Sequence, residues 1–79
     1  AFDSAILYFK DVLNRWPNAP AARETSLKLV ESYKAIRYRE DASDLCTGLR
    51  KKYANDAGVK VACNGIPDAP TPAATSAVP

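Results

Sequence analysis

The sequence has no histidine and no methionine. Without histidine, the commonest general base and the commonest protein metal ligand are both missing. Cysteine is scarce. Cys46 and Cys63 are the only two. They stand too far apart for the C-x-x-C of a thiol redox site and are too few for a four-ligand structural zinc. No metal and no cofactor is expected. No apolar run approaches the ~20 residues that a membrane span needs, so no transmembrane segment is expected in this chain. Neither sign of charge dominates: 11 basic residues face 9 acidic ones, for a net charge of +2. That balance gives no ground for a nucleic-acid or membrane-surface partner. The one basic cluster, Arg50 to Lys52, reads as a cationic helix end favoured by the helix dipole, ahead of a phosphate or lipid-headgroup site. Strand-like alternation is absent throughout, which leaves an all-α chain.

The chain's 79 residues suffice for one small domain, of a size that buries only about 60% of its unfolded surface and is marginal alone. It opens on Ala1 rather than Met, runs almost directly into a helical pattern, and shows no signal peptide. Those features read as a fragment of a longer chain in preference to a processed one.

Four helical stretches follow. In "FDSAILYFKDVLNRW", Ala5, Phe9, Val12 (or Leu13) and Trp16 recur at helical spacing with Ile6 beside them, and Asp3 suits an N-cap. Pro17 ends that helix by restricting the residue before it. Pro20 then restarts helix, since its missing N–H has no partner in a first turn. Leu29, Val30, Tyr33 and Ile36 form the second stripe, with Leu27 at its edge and a Glu24–Lys28 pair outside it. The third stripe is Ala42, Leu45, Cys46, Leu49 and Tyr53, with Glu40 and Asp41 at its start and Arg50 to Lys52 at its end. Gly48 weakens that helix and allows either close helix approach or nothing in particular. Asp56 suits the cap of a short fourth helix that Asn64, Gly65 and Pro67 close. Residues 1–66 therefore read as a helical domain, and 67–79, rich in Pro, Ala and Thr, as a flexible tail. The two cysteines are either buried thiols or one disulfide. As a disulfide they would tie the closing helix to the last full helix and place the chain in an oxidising compartment.

The first and third helices repeat. Ala5 and Phe9 correspond to Ala42 and Cys46, and Leu29-Val30-x-x-Tyr33 lies on the helix between. This fits the tetratricopeptide pattern of L-G-x-x-Y on one helix and A-x-x-x-F on the next, with a proline at the turn. The offset of 37 from Ala5 to Ala42 exceeds the standard 34-residue period, and the excess lies in "RWPNAPAARE". The fold class expected is an all-α, tetratricopeptide-like antiparallel array of about one and a half repeats plus a short C-terminal helix. Ser26, Val30 and Cys46 depart from the motif's Trp, Gly and aromatic, and Arg37 holds a turn position usually given to Gly.

Arg15, Trp16, Pro17, Asn18 and Pro20, then Glu24, Leu27, Leu29, Glu31 and Tyr33, then Tyr38 to Ala42, resemble the repeats of the BamD family of outer-membrane β-barrel assembly lipoproteins. They are also similar to the periplasmic Tol-Pal coordinators of the YbgF (CpoB) type. The resemblance covers residues 3 to about 54. It implies a non-enzymatic interaction scaffold, membrane-associated in the periplasm, whose partners are other protein subunits of an envelope complex. It also implies a lipid anchor in a preceding part of the chain. An accessory subunit of another envelope complex, for example an energy-transducing one, is the alternative.

Two surfaces are expected to serve such partners. On the groove face of the second helix stand Glu24, Leu27, Glu31, Lys34 and Ala35. On the first helix a half-repeat would leave Ile6, Phe9 and Leu13 as an exposed apolar face. Enzymatic function is disfavoured. Glu40, Asp41 and Asp44 are acids where a helix start favours them, and packing explains the tyrosines better than a stacking platform does.

Overall fold

The computed structural model describes residues 2–69. Four helices follow one another: α1 (Phe2–Arg15), α2 (Ala22–Ala35), α3 (Arg39–Lys52) and α4 (Ala57–Ala62). The chain is all-α among the described residues, an antiparallel array joined by short turns, as its periodicity implies. No described helix is long and apolar enough to cross a membrane. Most of the expected tail, residues 70–79, lies outside the described residues. Its first part is not loose. Ser43 donates to the Pro67 carbonyl at 2.6 Å, and the Ala69 amide donates to Thr47 Oγ1 at 2.8 Å, so residues 67–69 lie along α3.

Helix α2 is the hub and packs against each of the other three. Its stripe feeds two clusters. Leu29 and Tyr33 join Ile6 of α1 and Ala42 of α3, with Phe9, Leu13, Ile36 and Leu45 at the margins. Val30 joins Cys46 and Leu49 of α3 and Val59, Ala62 and Cys63 of the α4 region. Val30 and Cys46 are wholly enclosed. No buried side-chain nitrogen or oxygen among the described residues lacks a partner.

Helix α2 begins at Ala22, two residues later than Pro20 suggests. Pro20 sits inside a turn, where the Ala19 amide donates to Trp16 O and the Ala22 amide to Ala19 O. A side chain from α3 holds this corner. Lys52 Nζ donates to the Pro17 carbonyl at 3.0 Å and to Asn18 Oδ1 at 3.4 Å. The turn between α2 and α3 places Arg37 at φ 63, a left-handed conformation that costs a residue with a Cβ roughly 1 kcal/mol. Asn55 and Gly65, the other described residues with positive φ, are types that tolerate it. Glu24 does not pair with Lys28. It accepts from Arg23 Nη1 at 3.0 Å.

Helix α4 has six residues, far too few to persist alone, and is fastened at both ends. At its start Asp56 is the N-cap and accepts from the Val59 amide. The same carboxylate takes two hydrogen bonds from the Arg23 guanidinium, at 2.7 and 2.8 Å. At its end Lys34 donates to the Ala62 carbonyl and Arg50 to those of Cys63 and Ile66. The lysine and arginine thereby satisfy carbonyls that a helix terminus leaves free. Arg50 also pairs with Asp68. Cys46 and Cys63 are joined as a disulfide.

Gly58 is the glycine that permits a close approach. A Cβ there would collide with Arg23 Nη2 and press on Asp56 Oδ1 and Leu27 Cδ1. Gly48 faces open space, so its helical cost is offset by nothing visible. These features fix opposite outcomes for one substitution. Gly58→Ala is expected to lower stability and Gly48→Ala to raise it by about 1 kcal/mol, measured by urea unfolding. In an Arg23→Ala background the Gly58→Ala penalty should largely vanish, because the obstructing guanidinium is gone.

The Arg23 hydrogen bonds, and next the Val59 amide, hold the Asp56 carboxyl well below the usual carboxylate range. A depressed folded-state pKa contributes stability that is complete above the unfolded value of ~3.9 and fades as pH falls below it. Thermal unfolding is therefore expected to show an acid limb below about pH 4 that Asp56→Asn makes shallower. An unchanged limb in that variant would remove Asp56 from the account. Replacing both cysteines by alanine should cost about 3 kcal/mol for a closed loop of this size. The α4 amides should then lose hydrogen-exchange protection before those of α2.

Candidate partner-binding surface

The expected groove face on α2 is divided by α4. Lys34 lies at the α4 side, with Nζ 3.0 Å from the Ala62 carbonyl and 3.5 Å from a Glu31 carboxylate oxygen. Leu27 is half-buried and packs against the cluster beneath α4. Glu24, Glu31 and Ala35 are exposed. Glu24, Leu27 and Glu31 also border an open groove of about 470 Å³ on the opposite side, together with Lys28 and Ser32. The far wall of that groove is Phe2, Ala5 and Phe9 of α1.

The exposed apolar face expected at Ile6, Phe9 and Leu13 is not where the structure places it. Ile6 is buried, and Phe9 and Leu13 pack at the margin of the same cluster, so these three are the seam onto α2. The uncovered face lies on the other flank of α1. Phe2, Tyr8 and Trp16 are 49%, 65% and 55% exposed, and Ala5 and Val12 between them are half-buried. The stripe on α1 is simply wider than one neighbouring helix can cover. Its width, running from Tyr8 and Val12 round to Ile6, was the available signal. The error lay in assigning the inner flank to solvent.

The repeat explains what the outer flank is. Helices α1 and α3 each have 14 residues, and every α1 position recurs in α3 at the offset of 37. On α3, Ala42 and Leu45 face Leu29 and Tyr33 of α2. Their counterparts on α1 are Ala5, half-buried on the wall of the open groove, and Tyr8, largely exposed. Likewise Leu49, buried under α4, corresponds to half-exposed Val12, and Tyr53 to Trp16. The groove beside Phe2, Ala5 and Phe9 is thus the place that a helix equivalent to α2 would take.

A second concavity, about 580 Å³, opens at the other end of α2. Lys34, Arg37 and Arg39 border it, with Tyr33, Tyr38 and Ala42, and with Asn64 to Pro67 of the segment after α4. Tyr33 and Tyr38 stack with ring centroids 6.3 Å apart. Burial, and then the charge of Asp41, raise the Tyr33 pKa, so the phenol stays protonated. The four tyrosines do not form one platform: Tyr8 meets Phe9 edge-on, and Tyr53 lies beneath the Lys52 ammonium.

Sequence reasoning did not anticipate Arg23, Lys52 or Arg50 as tertiary anchors. Arg50 and Lys52 read only as a cationic helix end, Arg23 carried no local signal, and each partner lies many residues away along the chain. No protein-family model, no curated protein and no solved structure matches this chain.

Proposed function

We propose that the protein is a non-enzymatic interaction scaffold of the bacterial envelope. On this reading it acts in the periplasm within a membrane-associated complex, in the manner of the BamD-like tetratricopeptide proteins that its sequence resembles. The observation that carries the reading is the uncovered flank of α1. Ala5 and Tyr8 have the spacing of Ala42 and Leu45, the face that α2 covers on α3, and a groove with an apolar wall runs beside Ala5. Such a face suits an amphipathic helix from another subunit, which would bury Phe2, Ala5 and Phe9 against its apolar stripe. Glu24, Lys28 and Glu31 on the opposite wall would select the charges flanking that stripe. The disulfide is compatible with an oxidising compartment such as the periplasm.

The test is affinity purification of the native protein from detergent-solubilised membranes, with identification of what accompanies it. Barrel-assembly subunits are the expected companions. Replacing Ala5 by Arg together with Tyr8→Glu should abolish the association while leaving the melting temperature within a few degrees, since neither side chain belongs to the core. Recovery of an energy-transducing complex instead would replace the assembly role with that of an accessory subunit. Association that survives the double substitution would remove the α1 flank from the reading.

A further inference from the structure

We infer that the cleft between the α2–α3 turn and the segment after α4 binds an acidic peptide through Arg37 and Arg39. This rests on the reading of the chain as a protein-binding array and names the chemistry of one partner at a surface separate from α1. Three observations meet there. First, the cleft is bordered by three cationic side chains and by no acidic one. Lys34 is already engaged by the Ala62 carbonyl and Glu31. Arg37 and Arg39 make no side-chain hydrogen bond or ion pair among the described residues, although Arg15, Arg23 and Arg50 each make at least one. Second, Arg37 holds a left-handed backbone position, at φ 63, where glycine would sit without strain. Backbone strain kept at an exposed, uncompensated cation points to a use for that side chain. Third, most of the remaining lining is aromatic or apolar: the Tyr33–Tyr38 stack, Ala42, Ile66 and Pro67, with Asn64 and Gly65 completing it.

Those walls distinguish a peptide from a simple anion. An inorganic ion needs donors alone, whereas a cleft of about 580 Å³ lined by tyrosine rings and proline also accepts an apolar side chain. Planar guanidinium groups suit carboxylates, which they engage through two parallel hydrogen bonds. The expected ligand therefore carries Asp or Glu next to an aromatic or proline residue. Tyr38, 49% exposed, is the ring on which that residue would stack.

The probe is a fluorescein-labelled peptide of sequence Glu-Phe-Asp-Pro-Glu-Phe. Its controls are the same peptide with Gln and Asn for the acids, the acidic peptide with Ala for both Phe residues, and inorganic phosphate as competitor. Fluorescence anisotropy at low salt should show saturable binding of the acidic peptide. The amide control should bind about tenfold more weakly or worse, as loss of charge-assisted hydrogen bonds requires. Arg37→Gly is the decisive variant, because it relaxes the backbone while deleting the charge. Its melting temperature should hold or rise, and its affinity should drop about tenfold, with Arg39→Gln behaving alike. Undiminished binding by folded Arg37→Gly would overturn the inference, as would absence of saturation by the wild type. Phosphate competing on equal terms, with no loss from the Phe-to-Ala peptide, would make the cleft a small-anion site and also overturn it. Because the assay uses purified protein, its failure leaves co-purification through the α1 flank intact, and the converse holds too.

Discussion

Everything distal to α3 depends on how α4 is held. A six-residue helix has no stability of its own, yet Val59, Ala62 and Cys63 supply half of one core cluster. Without them Val30 and Leu49 would face water. The chain meets this need with covalent and charged contacts in place of a longer helix. The disulfide sets the α4 end against α3. The Arg23–Asp56 pair sets its start against α2, and Lys34 and Arg50 occupy the carbonyls where it stops. Asp56 serves two roles in that arrangement, as N-cap and as the acceptor of a two-bonded guanidinium. Gly58 is the space that lets the guanidinium in. In a domain this small, apolar burial alone leaves little margin, and such fastening is a physically reasonable supplement.

The helices were legible because each carries its own periodic signal. The stripes of α2 and α3 appear in the structure at the residues the spacing indicates, and the Asp56 cap falls as the local chemistry implies, whereas α4 stops at Ala62 with Cys63 as its C-cap, ahead of Asn64 and Gly65. Legibility stopped where a residue's role depends on distant partners. Nothing around Arg23 announces Asp56, and nothing around Lys52 announces the carbonyl of Pro17. Periodicity also identifies an apolar face without saying which neighbour covers it. Spacing alone therefore puts Ile6, Phe9 and Leu13 on the open side, whereas they form the seam onto α2. The true open flank was visible as excess width in the α1 stripe. The exposure of Trp16 shows the same limit, since its spacing matches that of a buried residue. Glu24 illustrates a smaller failure: an i, i+4 partner worth a few tenths of a kcal/mol lost to an adjacent arginine.

The repeat gives the molecule an unequal pair of sides. On α3 the apolar flanks are both satisfied, one by α2 and the other by α4 and its disulfide. On α1 the same pattern is satisfied on one flank only. A repeat array gains stability from each interface between neighbours, so an unsatisfied flank is both a cost in exposed apolar area and an opportunity for association. The Tyr33–Tyr38 end of α2 is open for a different reason. There the surface is cationic and aromatic and carries a left-handed arginine, so a ligand would be selected by charge, whereas on the α1 flank it would be selected by shape and apolar area.

The proline corner connects these properties. A turn built around Pro17 and Pro20 has few amide donors, and the Pro17 carbonyl is left to accept from elsewhere. Lys52, at the end of α3, supplies the donor. The angle between α1 and α2 is thereby referred to α3, and α3 is referred through the disulfide to α4. The wall of Phe2, Ala5 and Phe9 and the wall of Glu24, Leu27 and Glu31 are held at their spacing by contacts that lie outside the groove. A surface fixed in this way has less ordering entropy to lose when a partner arrives, which favours affinity without any added contact. It follows that the stretch between α1 and α2 is a structural element in its own right. It places a carbonyl where the last turn of α3 can reach it.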